Sequence, residues 1–377
     1  MQWPRKFSAV FSTILSLGCV LAGTGLALAD EITVTSDHDN TLYEDALGKS
    51  SNGAGPDIYV GTNNLLSIRR GLIHFNLSGI PAGATITDVK VTLHLSKTSD
   101  GQARNYTLNR ALASWGEGTS NGTGQGSAAT TNDATWLYRF YKTTKWTNVG
   151  GDFAATASAT TSVDTSNGNY SWLSTTKLVA DVQGWVNNSA NNFGWVVRGE
   201  EDAQQSARQF DSREQTTAAF RPSLTVKYTV KRAISGIITL ESCTVATQNI
   251  NFTLRQNGTD VQKQTVTLGA DGSYKLSGVP AGKFDLHIKG AKWLAKNVAA
   301  IDTTNGDVSG VSATLPAGDV DDNNSVDLDD LGLLSLAFDT KPGDSLYDDR
   351  ADLNCDGVVG LDDLGLLSLN FDTAGDK

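Results

Sequence analysis

The 377-residue chain has only three cysteines and four histidines, and beyond its first 28 residues it has no long apolar run. Each shortage excludes something. Cys19 lies in the N-terminal apolar segment, so Cys243 and Cys355 are the two left for the rest of the chain. Two thiols cannot build a disulfide framework. A single bridge between them stays open, but they fall in different stretches of sequence and pairing is not the expected arrangement. His38, His74, His94 and His287 are scattered, without metal-ligand spacing. No later segment approaches the roughly 18 continuous apolar residues of a membrane-spanning helix. Acid–base pairs for glycoside cleavage would have to be assembled from Glu44, Glu117, Asp152 and Glu214, which the sequence leaves unpaired. A hydrolase or lyase is therefore the lesser alternative to a non-catalytic protein.

Positive charge is the next shortage, and it is local. Residues 319–377 hold 16 acidic residues against Lys341, Arg350 and Lys377, a net of −13, whereas the whole chain is −11. Residues 30–230 hold 19 acidic and 16 basic residues, so no electropositive groove is implied and nucleic acid is not an expected partner.

At the N-terminus, Arg5-Lys6 precede an apolar run from Phe7 to about Leu28, and Ala27-Leu28-Ala29 is a small-x-small cleavage site. These features describe a secretory signal peptide over residues 1–29, which implies a secreted protein, extracellular or held at the cell surface. Cys19 after Leu17-Gly18 raises a lipid-anchored alternative, against which Ser16 stands where such a site prefers leucine.

The acidic tail contains an internal repeat. Residues 328–340 and 361–373 are identical except that Asn370 replaces Ala337, an offset of 33 residues. Each copy follows a 12-residue acidic loop. Calcium takes six to eight oxygens, and such a loop offers them from positions 1, 3, 5, 7, 9 and 12. The first loop places Asp319, Asp321, Asn323, Ser325, Asp327 and Asp330 there; the second places Asp352, Asn354, Asp356, Val358 (through its carbonyl), Gly360 and Asp363. Position 6 needs a left-handed residue, which suits Gly357 and is tolerated by Asn324. Two Ca²⁺ sites are expected, the first tighter because it offers four carboxylates against three. Leu331, Leu334 and Phe338, repeated as Leu364, Leu367 and Phe371, form the expected buried stripe of two helices. The matched Gly332 and Gly365 are expected to be merely tolerated in the helices, with close approach by a neighbour as the alternative. A segment this small and acidic has too little core to fold well alone, and metal binding would supply the deficit.

These loop–helix pairs resemble the type I dockerins, over about the last 60 residues. The resemblance implies a calcium-binding module that docks onto a cohesin-like or other scaffold protein. The departures are Leu328-Asp329 and Leu361-Asp362 at loop positions 10 and 11, where dockerins carry Ser or Thr for partner reading.

Upstream, Val89, Val91, Leu93 and Leu95 alternate with polar residues, as do Leu224, Val226, Tyr228 and Val230, which predicts half-buried antiparallel strands. Residues 116–132 and 154–169 read as long low-complexity loops. Asp39-Asn-Thr-Leu-Tyr-Glu44, Phe210-Asp-Ser-Arg-Glu214 and Arg221-Pro-Ser-Leu-Thr-Val-Lys-Tyr228, taken together and in that order, resemble the secreted DNRLRE-domain proteins over residues 30–230. That resemblance implies a jelly-roll-like β-sandwich and non-catalytic binding of polysaccharide; the alternative is a structural or adhesion surface protein with no glycan ligand. Sugar rings lie on aromatic faces, and the candidates are Trp115, Trp136, Tyr138 and Tyr141, with Arg213 and Glu214 able either to touch ligand or to form ion pairs with Arg221 or a neighbouring strand. Trp195 reads as core strand. Residues 231–317 carry hairpin signals at Asn257-Gly258 and Asp271-Gly272, and the stretch Asp271-Gly-Ser-Tyr-Lys-Leu-Ser-Gly-Val-Pro-Ala-Gly-Lys-Phe-Asp-Leu286 resembles part of a carboxypeptidase-regulatory or transthyretin-like sandwich, which implies a spacer or adhesion domain without catalytic residues. The expected fold class is mainly β: a jelly-roll-like β-sandwich, a smaller β-sandwich, and a small all-α paired calcium loop–helix module over residues 318–377.

Overall fold

The computed structural model describes residues 29–244 and 247–377. The signal peptide expected over residues 1–29 lies, but for Ala29, outside the described residues. What is described is mainly β, arranged in sandwich-like layers, with three α-helices.

Strand Thr85–Thr98 organises the first sandwich. Period-two alternation puts Val89, Val91, Leu93 and Leu95 on one face, and all four are fully buried. Strands Arg208–Asp211 and Ser223–Thr229 follow one another along it, pairing Thr98 to Leu95 and then Thr92 to Thr85. The two expected strands are thus partners, with Leu224 opposite Val91 and Val226 opposite Val89. The long strand Asp30–Tyr43 serves both layers. Its first half pairs with Ser223–Thr229 and its second half with Ile68–Phe75. From there the second layer continues through Trp195–Arg198 and Arg104–Arg110 to Ala159–Val163. Between the layers lie Ile58, Phe75, Tyr106, Trp172, Trp195 and Phe210. Helix α1, Thr176–Asn187, adds Leu178, Val182 and Trp185 to that core. Their i, i+4, i+7 spacing was a readable helix signal, and Thr175 caps it by accepting from the Leu178 N–H at 3.0 Å.

Two expected loops are corrected. Residues 154–169 contain strand Ala159–Val163 and the start of Gly168–Trp172. Their Thr- and Ser-rich sequence hid a pattern of which only Ala159 and Val163 face inward. Residues 116–132 do run mostly as loop, but Ser127–Ala128 pairs with Ser50–Ser51.

The second sandwich packs the sheet of Ser273–Pro280, Lys231–Leu240 and Ala313–Leu315 against a four-stranded sheet, ordered Thr259–Thr267, Asn249–Gln256, Lys283–Gly290 and Trp293–Asp302. Asn257-Gly258 closes a hairpin as expected, with φ of 51° and 78°. Asp271-Gly272 does not: the strands on either side belong to different sheets. Tyr274, Leu276, Phe284, Leu286 and Ile288 all point into the core.

The tail is built on two helices, α2 (Leu328–Ala337) and α3 (Leu361–Leu369). An internal two-fold relation joins its halves. Val326 of the first loop pairs with Thr373, after α3, while Val359 of the second loop bridges to Thr340, after α2. Leu334 and Leu367 are buried as expected. Phe338 and Phe371 are not, at 39% and 40% exposed, because α2 ends at Ala337 and α3 at Leu369, so the helical spacing fails before it reaches them. A Cβ on Gly332 or Gly365 would meet nothing within 4 Å, so these glycines mark no close approach.

The tail is not a separate core. Val320, Leu334, Leu353, Val359 and Leu367 share one buried cluster with Ile238, Leu240, Trp293 and Leu294 of the second sandwich. Asn324 accepts the Ala295 N–H at 2.7 Å, and Asn370 donates to Glu241 at 2.6 Å. Cys243 and Cys355 form a disulfide that spans 112 residues. This corrects the expectation against pairing: the two cysteines lie in different sequence motifs but on facing surfaces of one fused unit.

Candidate functional site: twin acidic loops

Both loops use one hydrogen-bond scheme. The carboxylate at position 1 accepts the N–H of position 6, Asn324 to Asp319 at 3.0 Å and Gly357 to Asp352 at 2.9 Å. The carboxylate at position 12 accepts the N–H of position 3 (Asp321 to Asp330, Asn354 to Asp363, both 3.1 Å) and that of position 9 (Asp327 and Gly360, both 2.8 Å). Side chains at positions 3 and 5 accept N–H groups two residues on, from Asn323 and Ser325 in one loop and Asp356 and Val358 in the other. Left-handed residues stand at positions 4 and 6 in both: Asp322 and Asn324, then Cys355 and Gly357. Asn324 takes this conformation at φ 68°, as the sequence required. These turns fold each acidic chain inward on itself.

In the first loop the carboxylates of Asp319, Asp321 and Asp330 offer oxygens that all lie within 4.8 Å of one another. Asp319 and Asp330 are fully buried. Burial pushes the Asp319 carboxyl above its ordinary value, and Lys289 opposes this. Asp319 Oδ2 accepts from Asn324 and from the Lys289 ammonium at 2.8 Å, but its buried Oδ1 has no hydrogen-bond partner. An anionic oxygen enclosed without a partner is costly, and a hard cation at the loop centre would satisfy it. The donors are oxygens throughout, as calcium prefers. The residues fit the ion. Asp327 caps α2 by accepting the Asp329 N–H at 2.8 Å.

Two lysines of the second sandwich reach the loops, and sequence reading missed both. Lys289 also meets Asp322 at 2.5 Å. Lys292, 6% exposed, donates to the carbonyls of Asp349 and Asp352 beside the second loop. Burial lowers its pKa and nearby Asp352 opposes that. Their place in a Lys-Gly-Ala-Lys turn carried no motif that could have revealed them.

The N-terminal candidates separate. Trp136 is 7% exposed with the Arg70 guanidinium 4.8 Å from its ring centre, so it offers no open face and is corrected to core. Trp115 is half-buried, donating to the Phe193 carbonyl at 2.9 Å and meeting His38 edge to face. Tyr138 and Tyr141 are half-buried and edge to face, with Lys145 and Lys142 over their rings. Trp115 therefore sits apart from the tyrosine pair in its contacts.

The Asp211-Ser-Arg-Glu214 string acts as a clasp. Asp211 holds His94, Ser212 donates to the Gly55 carbonyl at 2.7 Å, and the Arg213 N–H reaches Asp39 at 2.8 Å. The Arg213 guanidinium grips Glu117 at 2.5 and 2.7 Å and Glu214 at 3.0 Å. The partner of Arg213 is thus Glu117 as well as Glu214; Arg221 instead donates to the Gln215 carbonyl. Burial raises Glu214, and burial with the neighbouring Glu214 raises Asp39 well above the usual carboxylate range. Of the four acids weighed for glycoside cleavage, Glu117 and Glu214 meet at this arginine. Glu44 instead accepts the Ile68 N–H, and Asp152 accepts those of Thr147 and Asn148. Ser120, within a Gly118-Thr-Ser-Asn-Gly122 string that spells a hydrolase elbow, is buried, and its hydroxyl accepts the Gly53 N–H.

No family model matches the chain, and no curated protein matches it. Among solved structures the chain is similar to chains of two type II cohesin–X–dockerin complexes from Acetivibrio cellulolyticus, both interface mutants. Identity is 23% and 24%, each over 38% of this chain and 97% of that one, with a TM-score of 0.32. A DUF3823-family protein from Parabacteroides merdae is similar at 14% identity over 22% of this chain and 45% of its own, with a TM-score of 0.17. Likeness this slight carries no argument about fold or function.

Proposed function

We propose that this is a secreted, non-catalytic modular protein whose acidic tail is ordered by two calcium ions and attaches it to a scaffold protein, while its N-terminal sandwich binds polysaccharide. The observation that carries the calcium reading is the buried, unpartnered Asp319 Oδ1 in a loop where Asp321 and Asp330 converge. Attachment is supported by apolar side chains repeated at the 33-residue offset and left in solvent: Leu328 and Leu361 at 71% and 76% exposed, Leu336 and Leu369 at 68% and 70%. Exposed leucines in matched pairs suit a protein surface better than solvent.

Calorimetry on the full chain, stripped with chelator and titrated with calcium, tests the reading. Two sites are expected, and Asp330→Asn should abolish one of them. No heat at millimolar calcium, or two unchanged sites in that variant, would sink it.

A further inference from the structure

A cleft of about 630 Å³ opens in the first sandwich, away from every aromatic candidate named above. Its origin lies in strand alternation. Ile58 and Phe210 point into the core, so their neighbours Tyr59 and Gln209 point the other way; on the adjacent strand a bulge at Ser96, between buried Leu95 and Lys97, turns Lys97 to the same outer face. Register sets those three side by side, with Gln209 opposite both Tyr59 and Lys97. Loops around Asn63, Gln125 and Gln205 wall the cleft. The size falls in the range of about 300–1,000 Å³ usual for ligand sites.

The lining defines the ligand's chemistry. Amides and hydroxyls dominate, which disfavours an apolar ligand. Two arginines line the cleft but are already engaged. Arg69 donates to the Gly124 and Ser67 carbonyls and to Gln125, and Arg208 pairs with Asp100 and the Gln102 carbonyl. Their bonds fix the walls and leave Lys97 as the lining cation with no recorded partner among the described residues. A polyphosphate would need more free positive charge than that. On the floor, Asp57 takes the Tyr59 hydroxyl at 3.4 Å, and burial raises its carboxyl above the ordinary value.

Resting on the polysaccharide reading above, we infer that this cleft, and not the Trp115 or Tyr138–Tyr141 surfaces, is where the sandwich binds glycan. The ligand is a neutral, hydroxyl-rich oligosaccharide segment, held by the Gln209 amide, the Lys97 ammonium and the Asp57 carboxylate. Neutral sugars need many donors and acceptors and little net charge, which is what the lining offers.

The test uses the full chain in saturating calcium, with affinity electrophoresis through gels containing xylan, mannan, amylose or mixed-linkage β-glucan. Retardation by at least one polymer is expected. Gln209→Ala with Lys97→Ala should cut that affinity at least tenfold, with unchanged thermal unfolding, and Trp115→Ala should leave it intact. Loss in Trp115→Ala with retention in the double variant overturns the cleft while sparing the polysaccharide reading. No retardation by any polymer, including one bearing carboxylates such as polygalacturonate, overturns both; retardation by that acidic polymer alone overturns the neutral-ligand assignment.

Discussion

Replacing Lys289 with methionine removes the cation that the second sandwich lends to the first acidic loop, and two opposite effects should follow. The ammonium lies 2.8 Å from Asp319 Oδ2, while Oδ1 of the same carboxylate has no hydrogen-bond partner. Calcium bound to Oδ1 at about 2.4 Å would stand roughly 6 Å from the nitrogen. At that distance a monovalent and a divalent cation repel by about 1.4 kcal/mol in bulk water and about 5.5 kcal/mol at an effective dielectric near 20. Lys289 is 15% exposed, and physiological salt screens part of the repulsion, which leaves about 1–2 kcal/mol. Lys289→Met should therefore bind calcium in the first loop roughly 5- to 30-fold more tightly, with a gain that shrinks as salt is added. Without calcium the same variant should be less stable, by up to about 3 kcal/mol, because buried Asp319 loses its counter-charge. Calorimetry at two ionic strengths, paired with thermal unfolding with and without chelator, reads both. Equal or weaker calcium binding in the variant would refute the electrostatic argument and assign Lys289 a purely scaffolding part.

Reducing Cys243–Cys355, or changing both to serine, should cost the unit of residues 231–377 about 4–5 kcal/mol, the loop-closure entropy of a 112-residue ring. Denaturant unfolding with and without reductant measures this, and an unmoved midpoint would show that the shared core alone holds the tail. Acid should weaken the first sandwich through Glu201. Burial works against its ionisation, yet Arg70 and Arg198 hold its pKa down to about 2. A carboxylate lowered by folding stabilises above its unfolded value near 4.5, and that contribution fades as pH falls from about 4.5 to about 2. Glu201→Gln should remove about 2 kcal/mol at pH 7 and flatten unfolding midpoints across that window; a parallel decline in both proteins would contradict it.

Strands whose alternation was clean, such as Thr85–Thr98 and Ser223–Thr229, were legible, as were the left-handed turns at Asn324 and Gly357 in the acidic loops, because each rests on local spacing. Ala159–Val163 was not legible: with three of its five residues Thr or Ser, its face is set by its partner strand rather than by composition. Trp136 was misread because whether a ring is covered depends on Arg70, 66 positions away in sequence and placed by another strand. Lys289, the shared core and the disulfide all join the second sandwich to the tail, and a reading that divided them at residue 317 could not see across its own boundary.

The Cys243–Cys355 bridge also has a mechanical consequence. If the tail is held and the N-terminal side is pulled, the 112 residues between the sulfurs cannot be drawn out. Roughly 380 Å of slack, at about 3.4 Å per residue, is thereby withheld. Under load the second sandwich would then behave as a short, nearly inextensible link, and its compliance would appear only once the bridge is reduced.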